Sequence, residues 1–331
     1  MTIRSLAFAL LLPILLAASA VPARAAEDPS GRWALRADGR PLMILTLQPD
    51  PAEAGRWRGE LVRPEGTTLN QSHIAFGMRN AIDRKLLVGT TAAEGTIELK
   101  YVDPKPDQVS DVLTFTPIEA GFALWGYKGV PFEPMLMLRA RPEESVSAGW
   151  DPAGEYGLDE PWPSNAAIRR LFEEDQAARR VGRIDWSVVG PQDAARREAV
   201  RRLLDAGALK SGDDFWHAAF IFQHGDKPED FLLAHSLAII AAARGRRDAT
   251  WIAAATLDRY LMRIGRKQIY GTQYITPNDG GPVTQEQFDR TTVSDALRIA
   301  TGVPSLSFQE ERRREMEAQR RAPVPVPGAS R

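Results

Sequence analysis

The sequence predicts an α+β protein whose two classes occupy separate domains: an N-terminal antiparallel β barrel or sandwich, then a C-terminal all-α bundle of helical hairpins. Three patterns carry this reading. Between residues 30 and 140, eight short runs alternate apolar and polar side chains, as half-buried strands require. Between 165 and 305 the pattern changes to capping residues, apolar stripes at helical spacing and terminal glycines. The stretch between them, 141–164, carries Pro142, Pro152, Pro161 and Pro163 and reads as a linker. The chain of 331 residues is long enough for each half to bury its own core.

Residues 1–25 read as a signal peptide. Arg4 supplies the positive start, and an apolar run from Leu6 to Ala20 follows. At about 15 residues the run suits a signal h-region and falls short of the ~20 that span a bilayer. Ala23-Arg24-Ala25 then offers small residues for cleavage. The expectation is bacterial export to the periplasm or beyond, with no transmembrane segment after removal of the leader. The chain has no cysteine, which excludes disulfides, thiol nucleophiles, thiolate metal sites and a lipid-anchored N-terminus. Net charge is −1, and loss of Arg4 and Arg24 with the leader leaves −3. That balance argues against a nucleic-acid groove or a polybasic membrane surface. The partner expected is an envelope component or a small ligand, and no cofactor is implied.

The strands are expected at Arg32–Arg36, Met43–Leu47, Trp57–Val62, Lys85–Val88, Thr96–Val102, Val112–Thr116, Phe122–Tyr127 and Met135–Leu138. Asp38-Gly39, Glu94-Gly95, Asp103-Pro104 and Gly121 mark turns between them. Short strands joined by tight turns suggest a meander that closes into an up-and-down barrel. Gly31-Arg32-Trp33 resembles the Gly-x-Trp opening of lipocalin-type barrels. Two interiors are open: a ligand cavity, or a barrel filled by side chains with Trp33 plugging one end. Eight strands permit filling by side chains alone, which is the preferred reading.

In the linker, Trp150, Tyr156 and Trp162 are too apolar for a free segment and are expected to pin it to one or both domains. Helices are expected from Ser164 or Asn165 to Val181, from Asp193 to Ala206, from Asp213 to His224, from Pro228 to Arg244 and from Asp248 to Ile264. Gly207, Gly225, Gly245 and Gly265 stop four of them, and Pro228 suits a first turn. The central helices are rich in alanine, which lets axes approach closely. Residues 271–292 read as a long loop and 292–300 as a short helix. Residues 306–321 read as a charged, solvated helix and 322–331 as a disordered, Pro-rich tail.

Polar residues recur at helix ends. His217 and His224 are seven apart and are expected to share a helical face, yet no metal-ligand spacing is recognised. In Gln223-His224-Gly225-Asp226, Asp226 is placed to orient the His224 imidazole for general acid–base work. The alternative is a plain helix C-cap. Asp258 and Arg259 point about 100° apart on a helix and face different partners. The loop Gln268-Ile269-Tyr270-Gly271-Thr272-Gln273 either lines a polar cleft for a sugar or peptide, or locks the last hairpin in place.

Phe172–Arg179, Ala218–Asp226, Leu257-Asp258-Arg259 and Gln268–Gln273 resemble, in order, the motifs of an uncharacterised bacterial helical family, a domain of unknown function. Its pattern is Asp-Gln-x-x-Arg, Gln-His-x-Asp, Leu-Asp-Arg and Tyr-Gly-Thr-Gln. The resemblance covers about residues 165–300 and leaves out the β domain. The family pattern has Ala as the third residue of Gln-His-x-Asp, where this chain has Gly225. Membership implies a helical domain with a shared polar cluster and names no reaction.

Three functions follow from these residues. The first is an exported binding or interaction module whose polar cleft uses Gln223, Asp258, Arg259, Gln268, Tyr270, Thr272 and Gln273. The second is a hydrolase of envelope polymer or peptide, with His224 as general base and Asp226 as its orienter. The third is a purely structural role for the same motifs.

Overall fold

The computed structural model describes residues 28–104, 112–119, 121–130, 133–180, 184–277 and 280–321. The expected signal peptide and Pro-rich tail lie outside these residues. The chain divides into two compact units, one running to Asp159 and one from Glu160.

In the first unit, eight antiparallel strands close into a barrel. They are β1 (Gly31–Ala37), β2 (Arg40–Pro49), β3 (Arg56–Pro64), β6 (Ile82–Thr91), β7 (Ile97–Tyr101), β8 (Leu113–Glu119), β9 (Phe122–Tyr127) and β10 (Met135–Arg139). Each expected run overlaps one of them, with Thr96, Val102 and Val112 just outside. Between β3 and β6 the chain adds β4 (Thr68–Leu69) and β5 (Ile74–Phe76). Closure comes from β1 pairing with β10, Trp33 opposite Arg139 and Ala34 opposite Leu138.

Side chains fill the barrel interior. Trp33, Leu35, Met43, Leu45, Leu47, Leu61, Leu99, Phe115, Trp125 and Met137 are fully buried in one cluster. Trp33 meets the Phe115 ring edge-on at 5.1 Å. The Arg139 guanidinium lies 3.9 Å over the Trp33 ring and donates to the Ser30 and Asp28 carbonyls. Gly31, at φ +104°, passes so close that a Cβ there would lie 2.8 Å from Arg139 Nη1. The Gly-x-Trp opening therefore serves to let the last strand's arginine stack on the tryptophan of the first.

The segment expected to be a linker is divided. Through Asp159 it wraps the first unit. Arg36 pairs with the buried Glu144 carboxylate at 2.6 Å, and this contact, helped by hydrogen bonds from Arg141, holds the Glu144 pKa down to about 2 against the opposing effect of burial. Trp150 is buried with Ala37, Leu42, Ala75 and Met78 in a second small core. The Arg40 guanidinium covers its ring at 3.9 Å and Tyr156 meets it edge-on at 4.7 Å. A strand β11 (Tyr156–Gly157) then extends the β4–β5 pair into a three-stranded sheet.

The second unit contains α1 (Ala166–Ala177), α2 (Trp186–Asp205), α3 (Gly212–Phe222), α4 (Pro228–Ala243), α5 (Ala249–Arg263), α6 (Asp295–Ala300) and α7 (Leu306–Arg321). Asn165 caps α1, its side chain accepting from Ala167 and Ile168 backbone N–H. Helix α2 starts well before the expected Asp193, because Asp185 caps it and the helix runs through Pro191. Helix α3 ends at Phe222, so His224 lies beyond it and shares no helical face with His217. Ser211 and Asp214 form a capping box at the start of α3. The buried Asp214 carboxylate also accepts from Asn165 N–H at 2.7 Å, tying the starts of α1 and α3 together. Ala218, Ala219, Ala234, Ala238, Ala241, Ala249 and Ala255 pack α3, α4 and α5 closely around Phe222, Leu237 and Ile252. Among the described residues no helix is long and apolar enough to cross a membrane.

Trp150→Ala should cost about 3–5 kcal/mol of unfolding free energy, the usual range for emptying a buried aromatic site. Urea unfolding followed by tryptophan fluorescence and circular dichroism checks this. A loss under 1 kcal/mol would show that the wrapping segment is not part of the core.

Candidate functional site

The polar motifs of the helical unit gather into two networks that meet at the C-terminal end of α5. The first is centred on Asp258. It has no solvent exposure, and its carboxylate accepts from the N–H groups of Ile269 (2.8 Å), Tyr270 (3.0 Å) and Thr272 (2.9 Å) and from Thr272 Oγ1 (2.7 Å). Gln268, equally buried, accepts from Gln273 N–H at 3.0 Å and donates to the Gln273 and Gln285 carbonyls. Gln285 in turn donates to the Gly271 carbonyl at 2.6 Å, and Gln309 of α7 donates to the Tyr270 carbonyl at 2.9 Å. The buried Arg298 donates to the Ile269 and Tyr270 carbonyls. Gly271 sits at φ +80°, and a Cβ there would lie 2.1 Å from Gln309 Oε1. These groups lock the long loop onto α5, α6 and α7. Asp258 and Gln268 have no surface left for a ligand, and α7 is more than a solvated helix.

The second network surrounds the Gln223-His224 corner. The expected His224–Asp226 pair does not form. Asp226 is largely exposed and pairs with Arg197 at 2.7 Å, while Arg197 Nη1 also donates to the His224 carbonyl. The carboxylate nearest the imidazole is Asp175, 3.6 Å from His224 Nε2. Asp175 is held by Arg179 at 2.9 Å and by the Gln176 amide at 2.9 Å. Arg179 also bridges to Asp193 at 2.6 Å, and Arg196 meets Asp193 at 2.8 Å. Burial pushes the Asp175 pKa up to about 6 against the pull of Arg179. Burial, followed by the surrounding Arg179, Arg259, Arg197 and Arg196, pushes the His224 pKa down to about 3. His224 is therefore a neutral imidazole at pH 7, its Nε2 buried without a hydrogen-bond partner.

Gly225 has a steric reason to be glycine: a Cβ would meet Asp230 Cβ at 2.2 Å. Asp230 cannot retreat easily, since Arg201 binds it at 2.7 Å. The other histidines of the helical unit point elsewhere. The His217 ring packs 4.5 Å from Phe172, and His235 Nδ1 bonds the Ala253 carbonyl at 2.9 Å. Among the described residues no group of three or more His, Asp or Glu side chains is placed to hold a metal ion.

Arg259 joins the networks. Its Nη1 donates to the Gln223 carbonyl at 3.1 Å, and the side chain lines a cleft of about 340 Å³ with Phe231, Met262, Arg263 and Gln273. Gln273 reaches this cleft while its amide donates to the Ala255 carbonyl and Thr272 Oγ1. Of the residues expected to form a site, Arg259 and Gln273 share this cleft. Gln223 and His224 do not line it, Gln223 meeting Arg259 through its carbonyl, and Asp258, Gln268, Tyr270 and Thr272 belong to the network that fixes the following loop. Sequence reasoning missed Phe231, Met262 and Arg263. The signal for Arg263 was its i, i+4 spacing from Arg259, which puts both on one face.

Fold and site define the class: an eight-stranded antiparallel barrel and an all-α unit in one chain, with a cationic cleft on the second. Comparison with family models, curated proteins and solved structures finds no match to this chain.

Asp258→Ala leaves four donors without their acceptor. It should cost at least ~3 kcal/mol, measured by urea unfolding, given about 1–3 kcal/mol for each buried group left unpaired. An effect within 0.5 kcal/mol would mean that water replaces the carboxylate freely. His224 gives a pH-dependent outcome. Its folded pKa is depressed from 6.5 to about 3, so the unfolded chain binds the extra proton first as pH falls. Its stabilising share is complete above pH 6.5 and declines toward pH 3. The stability difference between the wild type and His224→Gln should therefore shift against the wild type between pH 7 and pH 5. A constant difference would contradict the depressed pKa.

Proposed function

We propose that this chain is an exported bacterial envelope protein whose helical unit binds a small ligand or envelope component in the cleft beside α5. Export rests on the leader pattern of residues 1–25. The observation that carries the binding assignment is that Arg259 and Gln273, from two separate motifs, line one cleft with Phe231, Met262 and Arg263. Its volume, about 340 Å³, suits a small molecule, and its lining mixes apolar walls with a few polar groups.

The hydrolase reading stands second. An imidazole with a pKa near 3 is a weak general base at neutral pH, because proton-transfer efficiency is best when the pKa lies near the working pH. Asp226, its expected orienter, is engaged by Arg197. Binding without turnover accounts for the same residues with fewer requirements.

The test follows the Met262 methyl and Gln273 side-chain amide by NMR while small envelope-derived compounds are titrated into the full chain. A ligand should shift both signals, and Met262→Trp, which fills the cleft, should abolish the Gln273 amide shift while the fold is retained. A Gln273 amide shift that survives Met262→Trp would place the ligand elsewhere.

A further inference from the structure

We infer that the cleft beside α5 takes an oxyanion, a carboxylate or phosphate carried on a short apolar group. This rests on the cleft being a ligand site and names the chemistry of its ligand.

Arg259 and Arg263 stand four residues apart on α5, and both line the cleft. Like charges at this spacing repel on one helix face. Arg263 is exposed at the rim and Arg259 is half-buried, and four other shielded arginines of the helical core each meet a carboxylate. Arg179 meets Asp175 and Asp193, Arg196 meets Asp193, Arg197 meets Asp226 and Arg298 meets Asp295. Arg259 has a backbone carbonyl instead, that of Gln223, and its buried Nε has no acceptor. Arg263 lies 5.5 Å over the Phe231 ring. Among the described residues neither guanidinium forms an ion pair. Burial and the neighbouring Arg263 and Arg179 disfavour the charged form of Arg259. The carboxylate next to it in sequence, Asp258, cannot neutralise the pair, because four donors from the following loop occupy it.

The shielded Arg259 guanidinium has no counter-charge, and the exposed Arg263 adds a second cation at the rim of the same cleft, so a negative charge is the complement the cleft lacks. Guanidinium donors match the oxygen pairs of carboxylate and phosphate. Phe231 and Met262 supply the apolar walls, and the Gln273 side chain adds a neutral polar group at the same cleft. An anion with a short aliphatic arm satisfies both halves of this lining.

Isothermal titration of the full chain at low ionic strength tests the inference with four probes: hexanoate, hexyl phosphate, inorganic phosphate and neutral 1-hexanol. Either amphipathic anion should bind at least about tenfold more tightly than hexanol, the effect of one charge-assisted contact. Hexanoate against hexyl phosphate decides which headgroup is preferred, and inorganic phosphate shows what the apolar arm adds. Arg263→Gln, an exposed change that keeps the fold, should weaken the anion at least about tenfold and leave hexanol unaffected. Arg259→Lys, which keeps the charge and changes the donor geometry, should also weaken it. Hexanol binding as tightly as the anions, and lost in Met262→Trp, would overturn the oxyanion and leave the cleft as a ligand site. Anion binding unchanged in Arg263→Gln would overturn the location.

Discussion

The helical unit depends on one buried carboxylate. Asp258 stands in the last turns of α5 and accepts four hydrogen bonds from the chain that follows. A long loop without regular structure carries backbone N–H and C=O groups that must find partners if it is to pack. Asp258, Gln268, Gln285, Gln309 and Arg298 provide them from four different segments. The loop thereby becomes a fixed wall, and Gln273 takes a defined place at its end. Arg259, one residue on, turns about a hundred degrees away from Asp258 along the helix. One helical turn thus anchors the wall and presents a cation beside it.

The same unit concentrates arginine in its shielded regions. Three of these arginines, Arg179, Arg196 and Arg197, are neutralised by carboxylates and fix α1, α2 and the Gln223-His224 corner. Their positive field and the surrounding burial hold His224 neutral. That makes the corner a hydrogen-bonding and packing device at neutral pH. Breaking one partner of such a buried pair leaves an uncompensated charge, which is why these contacts specify one arrangement of the helices.

The barrel was largely legible. Every alternating run between 30 and 140 overlaps a barrel strand, because alternate side chains of each strand enter a filled interior. Strands β4, β5 and β11, of two or three residues, were not foreseen, since a period cannot be read over so short a span. Pro191 hid the first turns of α2, because a proline reads as a helix boundary and its single missing hydrogen bond is tolerated here. The prolines of 141–159 suggested a linker, but Trp150 and Tyr156 buried that segment against the first unit. At the site, Arg259 and Gln273 were recognisable as polar motif residues. Phe231 and Met262 were not, because an apolar residue on an amphipathic helix looks the same whether it lines a core or a cleft.

By itself the sequence determined the two classes of structure, the positions of the caps and breakers, and the absence of any thiol chemistry. Those properties are local, set by the alternation of side chains, by backbone preferences of glycine and proline, and by composition. Only the tertiary structure decided which charges would meet. It gave Asp226 to Arg197 instead of His224, spent Asp258 on the backbone of its own loop, and left Arg259 and Arg263 without a carboxylate. Pairing of charges depends on distances across helices far apart in the chain, and no local pattern encodes those distances.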